Sequence, residues 1–380
     1  MAVEIERVES DRQLREFIRV PWRVYAQDPN WVPWLYFERL EFFNRDKNPF
    51  FRHAEADYFI ARRDGQAVGV ICALINGRHN EFHQENVAHF GVFEVLDDPE
   101  AAAALLAAAC DWGREREASH ILGPMNLSTN DECGTLIEGF DRPPVVLTTY
   151  NPRYYLEFFE QAGFSKAMDL LAWNNDLVER AKPGGLPDQL IRVVGKVKQR
   201  YGLNIRSINL KEWDHEVEHI KRIYNSAWER NWGFVPMTDA EIEHLASGLR
   251  PIIDPEIVFL VEKDGQAVGF ALSVPDVNEV LHKLRPGPSL PASYIAAGRM
   301  ILNRRKPKRI RVLALGVLPE FRNKGVDALM YFETAQRAVP RGYTWAEASW
   351  ILETNDAMNR PIELLGSEVY KRYRIYQKAL

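Results

Sequence analysis

Apolar and polar residues along this chain change places in short blocks, and the period of the blocks alternates between that of strands and that of helices. Residues 56–62 and 66–74 are two apolar runs of strand length joined by Asp64-Gly65, a dipeptide suited to a two-residue hairpin turn. Ahead of them, residues 3–8 suggest a strand and residues 11–24 a helix, with Ser10 or Asp11 placed to cap it. Behind them come a strand at 87–93, a long helix at 100–117 and a strand at 119–123. The same order recurs later: a strand at 204–209, helices at 212–230 and 238–249, a hairpin over 257–274, a strand at 311–318, a helix at 327–339 and a strand at 345–352. Residues 186–201 read as a connecting helix after the breaker Lys182-Pro183-Gly184-Gly185-Leu186-Pro187.

The recurrence is also one of residues. Asp-Gly-Gln-Ala-Val-Gly occurs at Asp64 to Gly69 and again at Asp264 to Gly269, an identity that chance supplies in a chain of this length about once in a hundred. Phe90-Gly91-Val92-Phe93 resembles Leu315-Gly316-Val317-Leu318, and Ala162-Gly163-Phe164 resembles Leu365-Gly366-Ser367. The changing offsets place extra residues in the second copy between hexapeptide and Gly316, and in the first between Gly91 and Gly163. Element order is kept while loops differ, as in two related domains. The expected domains are residues 1–180, a connector at 181–203, and residues 204–380.

Composition narrows the classes of function. With 380 residues, 46% hydrophobic and 27% charged, the chain is ordinary globular protein, and a net charge of -5 gives no general pull toward nucleic acid or membrane. Cys72, Cys110 and Cys133 have no paired spacing, so neither a disulfide framework nor a zinc cluster is expected and a reducing cytoplasm suits them. The first ten residues lack the apolar core of a signal peptide, and the longest apolar stretch, residues 101–110, is too short to span a bilayer. His79 and His83, like His215 and His219, lie four apart without a third ligand nearby, so no metal is expected.

The clearest chemistry lies in Leu313-Ala-Leu-Gly-Val-Leu-Pro-Glu-Phe-Arg-Asn-Lys-Gly-Val-Asp-Ala-Leu329. An apolar strand ends at Pro319, a basic glycine-containing turn follows, and a helix begins near Asp327. Amides at a helix start are unpaired and sit at the positive end of the dipole, so such a turn suits a pyrophosphate. Here the chain resembles the GCN5-related N-acetyltransferases (GNAT), whose signature is a strand, then Arg/Gln-x-x-Gly-x-Gly/Ala, then a helix. Arg322-x-x-Gly325-x-Asp327 matches the first two fixed positions and breaks the third, and Asn355 to Gly366 matches a later spacing of the family. As a whole the chain resembles bacterial proteins with two tandem GNAT-like domains. The fold this implies is α+β, each domain a mixed, mostly antiparallel twisted sheet flanked by helices.

The resemblance further implies acetyl-CoA or another acyl-CoA as cofactor, held in the second copy by Leu315 and Val317 on the strand, by Arg322, Asn323, Lys324, Gly325, Val326 and Asp327 at the turn, and by Asn355. The expected activity is N-acyl transfer to an amine of a small molecule or peptide. Many members carry a tyrosine four residues before the glycine that corresponds to Gly366, acting as general acid; this chain has Ile362. In the first copy the turn becomes Glu94-Val-Leu-Asp-Asp-Pro-Glu100, four carboxylates without a cation, which repels a phosphate.

Candidates for proton transfer are read from the strand at 345–355, where Glu347, Ser349, Ile351 and Glu353 share a face. Tyr373 and Tyr376 are candidates for the missing acid, packing being the competing role. Acceptor-binding candidates are Asn126, Ser128 and Asn130 in the first copy's inserted loop and Asp276 and Asn278 after the second hairpin, with loop capping as the competing role. The run Arg304 to Arg311 holds six cations in eight residues, a solvated loop or a contact for phosphate or RNA. No membrane partner is expected, and a homodimer is compatible with the sequence. The alternatives are an aminoacyl-tRNA-dependent transferase of the Fem type, which also pairs two such domains and under which alone tRNA would be a partner, and a non-catalytic ligand-binding protein.

Overall fold

The computed structural model describes every residue except Met1, Pro183, Leu186, Pro187, Arg230, Arg304, Arg305 and Asn323, and only the backbone of residues 188–190. In chain order the strands are β1 Glu4–Arg7, β2 Ala54–Arg63, β3 Gln66–Asn76, β4 Val87–Val95, β5 His120–Gly123, β6 Thr135–Glu138, β7 Ser165–Asp176, β8 Leu203–Ser207, β9 Val258–Lys263, β10 Gln266–Pro275, β11 Arg309–Val317, β12 Trp345–Leu352 and β13 Glu368–Ala379. The α-helices are α1 Asp11–Val24, α2 Tyr36–Phe42, α3 Gly77–His83, α4 Pro99–Arg114, α5 Tyr155–Gln161, α6 Leu177–Ala181, α7 Asp188–Tyr201, α8 Trp213–Ala227, α9 Asp239–Leu249, α10 Asn278–Leu284, α11 Leu290–Leu302, α12 Val326–Ala338 and α13 Asp356–Leu364.

Two compact units result. One holds residues 1–170, 281–300 and 371–380; the other holds 171–280 and 301–370. These limits differ from the domain boundaries expected from the repeat, for two reasons. Most of β13 pairs antiparallel with β5 and β6 of the first unit, where Tyr376 stacks on Phe159 with ring centres 4.8 Å apart. Residues 281–300, the second copy's insertion, also join that unit: Trp22 donates to the carbonyl of Pro286 at 2.8 Å, and Phe37 stacks on Tyr294 at 4.9 Å.

In the first unit the strand order is β1-β2-β3-β4-β5-β13, antiparallel except for β4 and β5. Apolar side chains alternate to its two faces. Ala61, Ile71, Ala73 and Phe90 face α4 and α5 through Leu105, Leu106, Tyr155 and Phe159, while Ile60, Val70, Cys72 and Leu74 face α1 through Phe17, Ile18 and Val20. The ten aromatics between Trp22 and Phe51 are mainly packing: Tyr25 stacks on Trp31 at 4.9 Å and Phe17 meets Phe43 edge-on at 5.5 Å.

In the second unit the order is β12-β11-β10-β9-β8, antiparallel except for β11 and β12. Phe259, Val261 and Ala271 pack against α7 and α12 through Val194, Val197, Leu329 and Met330. The repeat is visible in the backbone. Asp64 and Gly65 have φ of 53° and 74°, and Asp264 and Gly265 have 51° and 78°, the paired positive angles of one tight hairpin turn used twice. Gly163 and Gly366, with φ of 78° and 75°, stand between α5 and β7 and between α13 and β13. The architecture is α+β, a mostly antiparallel sheet flanked by helices in each unit.

Candidate functional site

The site is built on the parallel step between β11 and β12 in the second unit's sheet. β11 and β12 pair from Arg309 opposite Trp345 to Val312 opposite Ala348, and the ladder then stops. The stop has a local cause: on its other edge β11 slips register between Ala314, opposite Leu272, and Val312, opposite Ser273, so Leu313 is an extra residue. Such a bulge twists and bends its strand. Beyond it Leu313, Ala314, Leu315 and Val317 are only half-buried, unlike ordinary central-strand residues, and among the described residues their β12-facing edge carries no ladder partner. That edge is a template for an extended ligand with amide groups.

The basic turn follows at the end of the same strand. Gly325 has φ of 79°, a conformation costly for any residue with a Cβ, and is the N-cap of α12, a residue with no side chain to bond the first amides of the helix. A Cβ there would lie 3.0 Å from Val197 Cγ2 on α7. The Nζ of Lys324 sits 5.0 Å from the ring centre of Phe321 and 5.4 Å from that of Tyr201. Arg322 turns away: its guanidinium donates to the carbonyls of Ser226 and Ala227 at the end of α8, each at 3.0 Å. Asp327 is the second residue of α12 and does not cap it. Asn323 lies outside the described residues. Asn355 is the N-cap of α13, its carbonyl accepting from the amides of Met358 and Asn359.

At the fork itself lies a buried polar network. Glu347, opposite Arg311, has no exposure to solvent; Ser349 and Arg311 are nearly as buried. Arg311 donates from Nε to Ser349 Oγ at 3.0 Å and from an Nη to the Ser349 carbonyl at 3.2 Å, and its guanidinium faces the Trp350 ring at 4.9 Å. The Ser349 hydroxyl donates to one oxygen of Glu347, and the Tyr370 phenol donates to the other. Tyr370 is half-buried and meets Trp345 edge-on at 5.5 Å. A carboxylate with two hydroxyls and a cation behind it can take a proton, hold it and return it along defined bonds.

Of the proton-transfer candidates, Glu347 is in this network. Glu353 follows the end of β12, where its carbonyl accepts from Asn359 Nδ2 at 3.3 Å. Tyr373 and Tyr376 belong to the first unit and are buried there. Sequence reasoning missed Arg311 and Tyr370. The one signal for Arg311 was a cation inside an otherwise apolar strand, which signals a buried partner; Tyr370 required knowing where β13 begins. Ile362 is a core residue, packed with Leu171, Trp173, Ala348 and Ile351.

The acceptor candidates hold loops. Asp276 is fully buried and pairs with Arg309 at 2.7 Å, while its other oxygen accepts from the amide of Asn278 at 3.2 Å. Ser128 donates to Asp131 at 2.8 Å and accepts from the amide of Asn130 at 3.1 Å. Asn126 does more. In the first unit β4 and β5 also pair only as far as His89 and Leu122, but the opening is filled: the amide of Val92 donates to Asn126 Oδ1 at 2.8 Å, and the amide of Met125 to the carbonyl of Phe90 at 2.7 Å. The carbonyl of Met125 comes within 1.8 Å of where a Cβ of Gly91 would be. At the turn, Arg63 takes Asp98 at 2.8 and 2.9 Å and Glu100 at 2.9 Å, with Asp98 capping α4. The first copy's own loop and ion pairs thus occupy what the second copy leaves open. Among the described residues no three His, Cys, Asp or Glu side chains are grouped to hold a metal ion.

No known protein-family profile matches the chain. It is 37% identical over 381 residues to the bacterial ceramide synthase of Caulobacter vibrioides, covering 98% of this chain and 96% of that protein. It is 36% identical over 377 residues to the protein YghO of Escherichia coli, covering 97% and 93%. The chain belongs to the family of these two proteins. Its fold is that of tandem GNAT proteins: the one from the clavulanic acid biosynthesis pathway matches with a TM-score of 0.56 at 11% identity over 99% of this chain and 98% of its own. A GCN5-related N-acetyltransferase from Sphaerobacter thermophilus matches with a TM-score of 0.51 at 13% identity over 99% and 95%. The GNAT resemblance read from the signature strand holds for the fold of the entire chain.

Proposed function

We propose that the second unit transfers an acyl group from acyl-CoA to the amine of a long-chain amino alcohol, forming an amide and releasing coenzyme A. The observation that carries this reading is the fork of β11 and β12, with an open strand edge, a glycine-started helix at one end and the Glu347 network at the other. The residues suit such a donor: the Leu315 and Val317 backbone for the pantetheine arm, and the amides from Lys324 to Asp327, with Lys324, for the pyrophosphate. The name of the Caulobacter relative supports the long chains, since a ceramide is the amide of a fatty acid and a long-chain amino alcohol.

The donor supplies a thioester carbonyl open to attack by a neutral amine. Amides of β11 stabilise negative charge developing on its oxygen. Glu347 takes the proton that the nitrogen loses as the carbon–nitrogen bond forms. Tyr370 gives its proton to the departing sulfur as the carbon–sulfur bond breaks and is refilled from Glu347, so the network ends as it began. Arg311 acts through Ser349 as a positioning residue.

The test is the full chain with a panel of acyl-CoAs from acetyl to long-chain and of amines including a long-chain amino alcohol, following thiol release and amide mass. Thiol release matched by amide supports the reading, and its absence across the panel sinks it. Asp327 and the buried Ile362 favour a second reading, binding without turnover; calorimetric binding of acyl-CoA without thiol release would mark that outcome.

A further inference from the structure

The segment that forms α10 and α11 carries a feature that acyl transfer does not use. From Val280 to Pro319 the chain has nine Lys or Arg and no Asp or Glu, within a protein of net charge -5. In the middle of this stretch α11 presents an exposed face made entirely of apolar residues and glycine. Leu290, Pro291, Tyr294, Ile295, Gly298, Ile301 and Leu302 are all exposed, Leu302 by 85% and Tyr294 and Ile295 by 59% each. At 3.6 residues per turn these positions fall within an arc of about 140°, and Ser293, Ala296 and Met300 on the opposite arc are buried. A soluble surface helix has the reverse pattern, since nothing is gained by leaving a leucine at 85% exposure.

Cations flank this helix along the chain: Lys283 precedes it and Lys306 and Lys308 follow it, all three exposed, whereas Arg309 is spent on Asp276 and Glu279 and Arg311 is buried on Ser349. The segment is also held down: Arg285 donates to the carbonyl of Asp28 at 3.0 Å, and His282 bonds the carbonyl of Pro29 at 2.6 Å, so the apolar arc is presented on an anchored helix. An exposed apolar arc within so cationic a stretch of chain, whose neighbouring acid Glu279 is taken up by Arg309 and by the amides of Lys308 and Arg309, matches the requirements of the boundary between lipid headgroups and acyl chains. Among the described residues no helix is long and apolar enough to cross a membrane, so contact through this arc is lateral.

We propose that α11 docks the protein onto an anionic phospholipid bilayer, its apolar arc entering the headgroup boundary and the flanking lysines meeting lipid phosphates. The inference stands on this face alone and does not depend on the acyl-transfer reading. It is tested by flotation of the full chain with phosphatidylcholine vesicles, with or without phosphatidylglycerol, at about 0.15 M salt. The wild type floats with the anionic vesicles and much less with the neutral ones, and added salt weakens it. Ile295→Glu with Leu302→Glu lowers vesicle affinity about tenfold or more, while Leu364→Glu, an equally exposed leucine on α13, leaves it unchanged. Should the paired variant fail to fold by circular dichroism, Lys306→Glu with Lys308→Glu carries the test, with loss of anionic selectivity expected. Failure of the wild type to float, or flotation unchanged by the variants, overturns the proposal. So does sedimentation showing a wild-type dimer that the paired variant dissolves, because the face would then be covered by a second copy.

Discussion

Tyr370 and Glu347 share a proton bridge inside the second unit: the phenol donates to one carboxylate oxygen while Ser349 donates to the other. Because Glu347 is fully buried, any proton it exchanges passes through those two hydroxyls or through a group lodged in the fork. Glu347→Gln keeps the shape and removes the base, and the expected loss in kcat is about a hundredfold or more. Tyr370→Phe removes the acid and is expected to cost about tenfold to a hundredfold. The measurement is the pH profile of thiol release. A role in packing alone would leave its limbs where the wild type has them, and that result would remove both residues from the mechanism.

Arg322 and Lys324 separate two roles that the sequence presents as one basic turn. Arg322 bonds the last carbonyls of α8, so Arg322→Ala is expected to lower stability by about 1 kcal/mol or less at this exposed position and to leave acyl-CoA affinity near wild type. Lys324 rests on two rings at the helix mouth, and Lys324→Ala is expected to weaken acyl-CoA binding several-fold without changing the melting temperature. Calorimetric titration with acyl-CoA and thermal melts of both variants check the pair. The opposite assignment of effects would mean that the guanidinium leaves α8 when the ligand binds.

Gly325 tests the cradle itself. Alanine at its φ of 79° costs about 1–2 kcal/mol of strain and brings a methyl to 3.0 Å from Val197. Aspartate adds a negative charge at the amides of α12. Both variants are therefore less stable, but only Gly325→Asp is expected to lose acyl-CoA binding by a further order of magnitude at equal stability loss. Equal affinity in the two variants would place the pyrophosphate elsewhere.

The sequence made some of this legible and hid the rest, and the division follows from the range of the interactions. The hairpins at Asp64-Gly65 and Asp264-Gly265 were readable because two positive φ angles demand particular residues locally. The strand–turn–helix at Leu313 to Leu329 was readable for the same reason, Gly325 being the element that fixes it. The filling of the first copy's fork was only half-readable: the acidic turn showed that a phosphate is repelled, yet nothing in the sequence pairs Asn126 with Val92, 34 residues earlier. Tyr370 was invisible because its partner is 23 residues away and is fixed by pairing in the sheet. The compact units cut across the repeat, since residues 281–300 and 371–380 belong to the second copy in sequence and to the first unit in space.

The histidines of the first unit predict an acid limit to stability. His89 is buried against His79, whose ring centre is 4.6 Å away, and His79 lies 4.5 Å from His83. Burial first, and then the neighbouring histidines, hold the His89 pKa well below its ordinary 6.5. The unfolded chain therefore takes up a proton near pH 6.5 that the fold refuses, and stability falls as pH drops through that value. His89→Leu is expected to flatten the melting temperature between pH 7 and pH 5, and an unchanged slope would assign the acid limit to other groups.

Glu94 predicts a limit on the alkaline side by the same linkage with the opposite sign. Its carboxyl is buried with one oxygen accepting from Tyr25 at 2.6 Å and Tyr155 at 3.0 Å, and burial, resisted in part by these bonds, pushes its pKa from 4.5 to about 8. The group is neutral in the fold at pH 7 and ionised in the unfolded chain. Unfolding thus releases a proton, and stability falls steadily from about pH 4.5 until the folded carboxyl itself ionises near 8. The span corresponds to a few kcal/mol at roughly 1.4 kcal/mol per pH unit. Glu94→Gln removes the titration yet keeps the contacts, because a single amide oxygen has two lone pairs for the two tyrosines that now share one carboxylate oxygen. The variant is expected to match the wild type near pH 5 and to melt at a higher temperature at pH 8, as followed by circular dichroism. A variant that tracks the wild type across that range would show that the carboxyl is already ionised in the fold and that the tyrosines and Arg39 stabilise its charge.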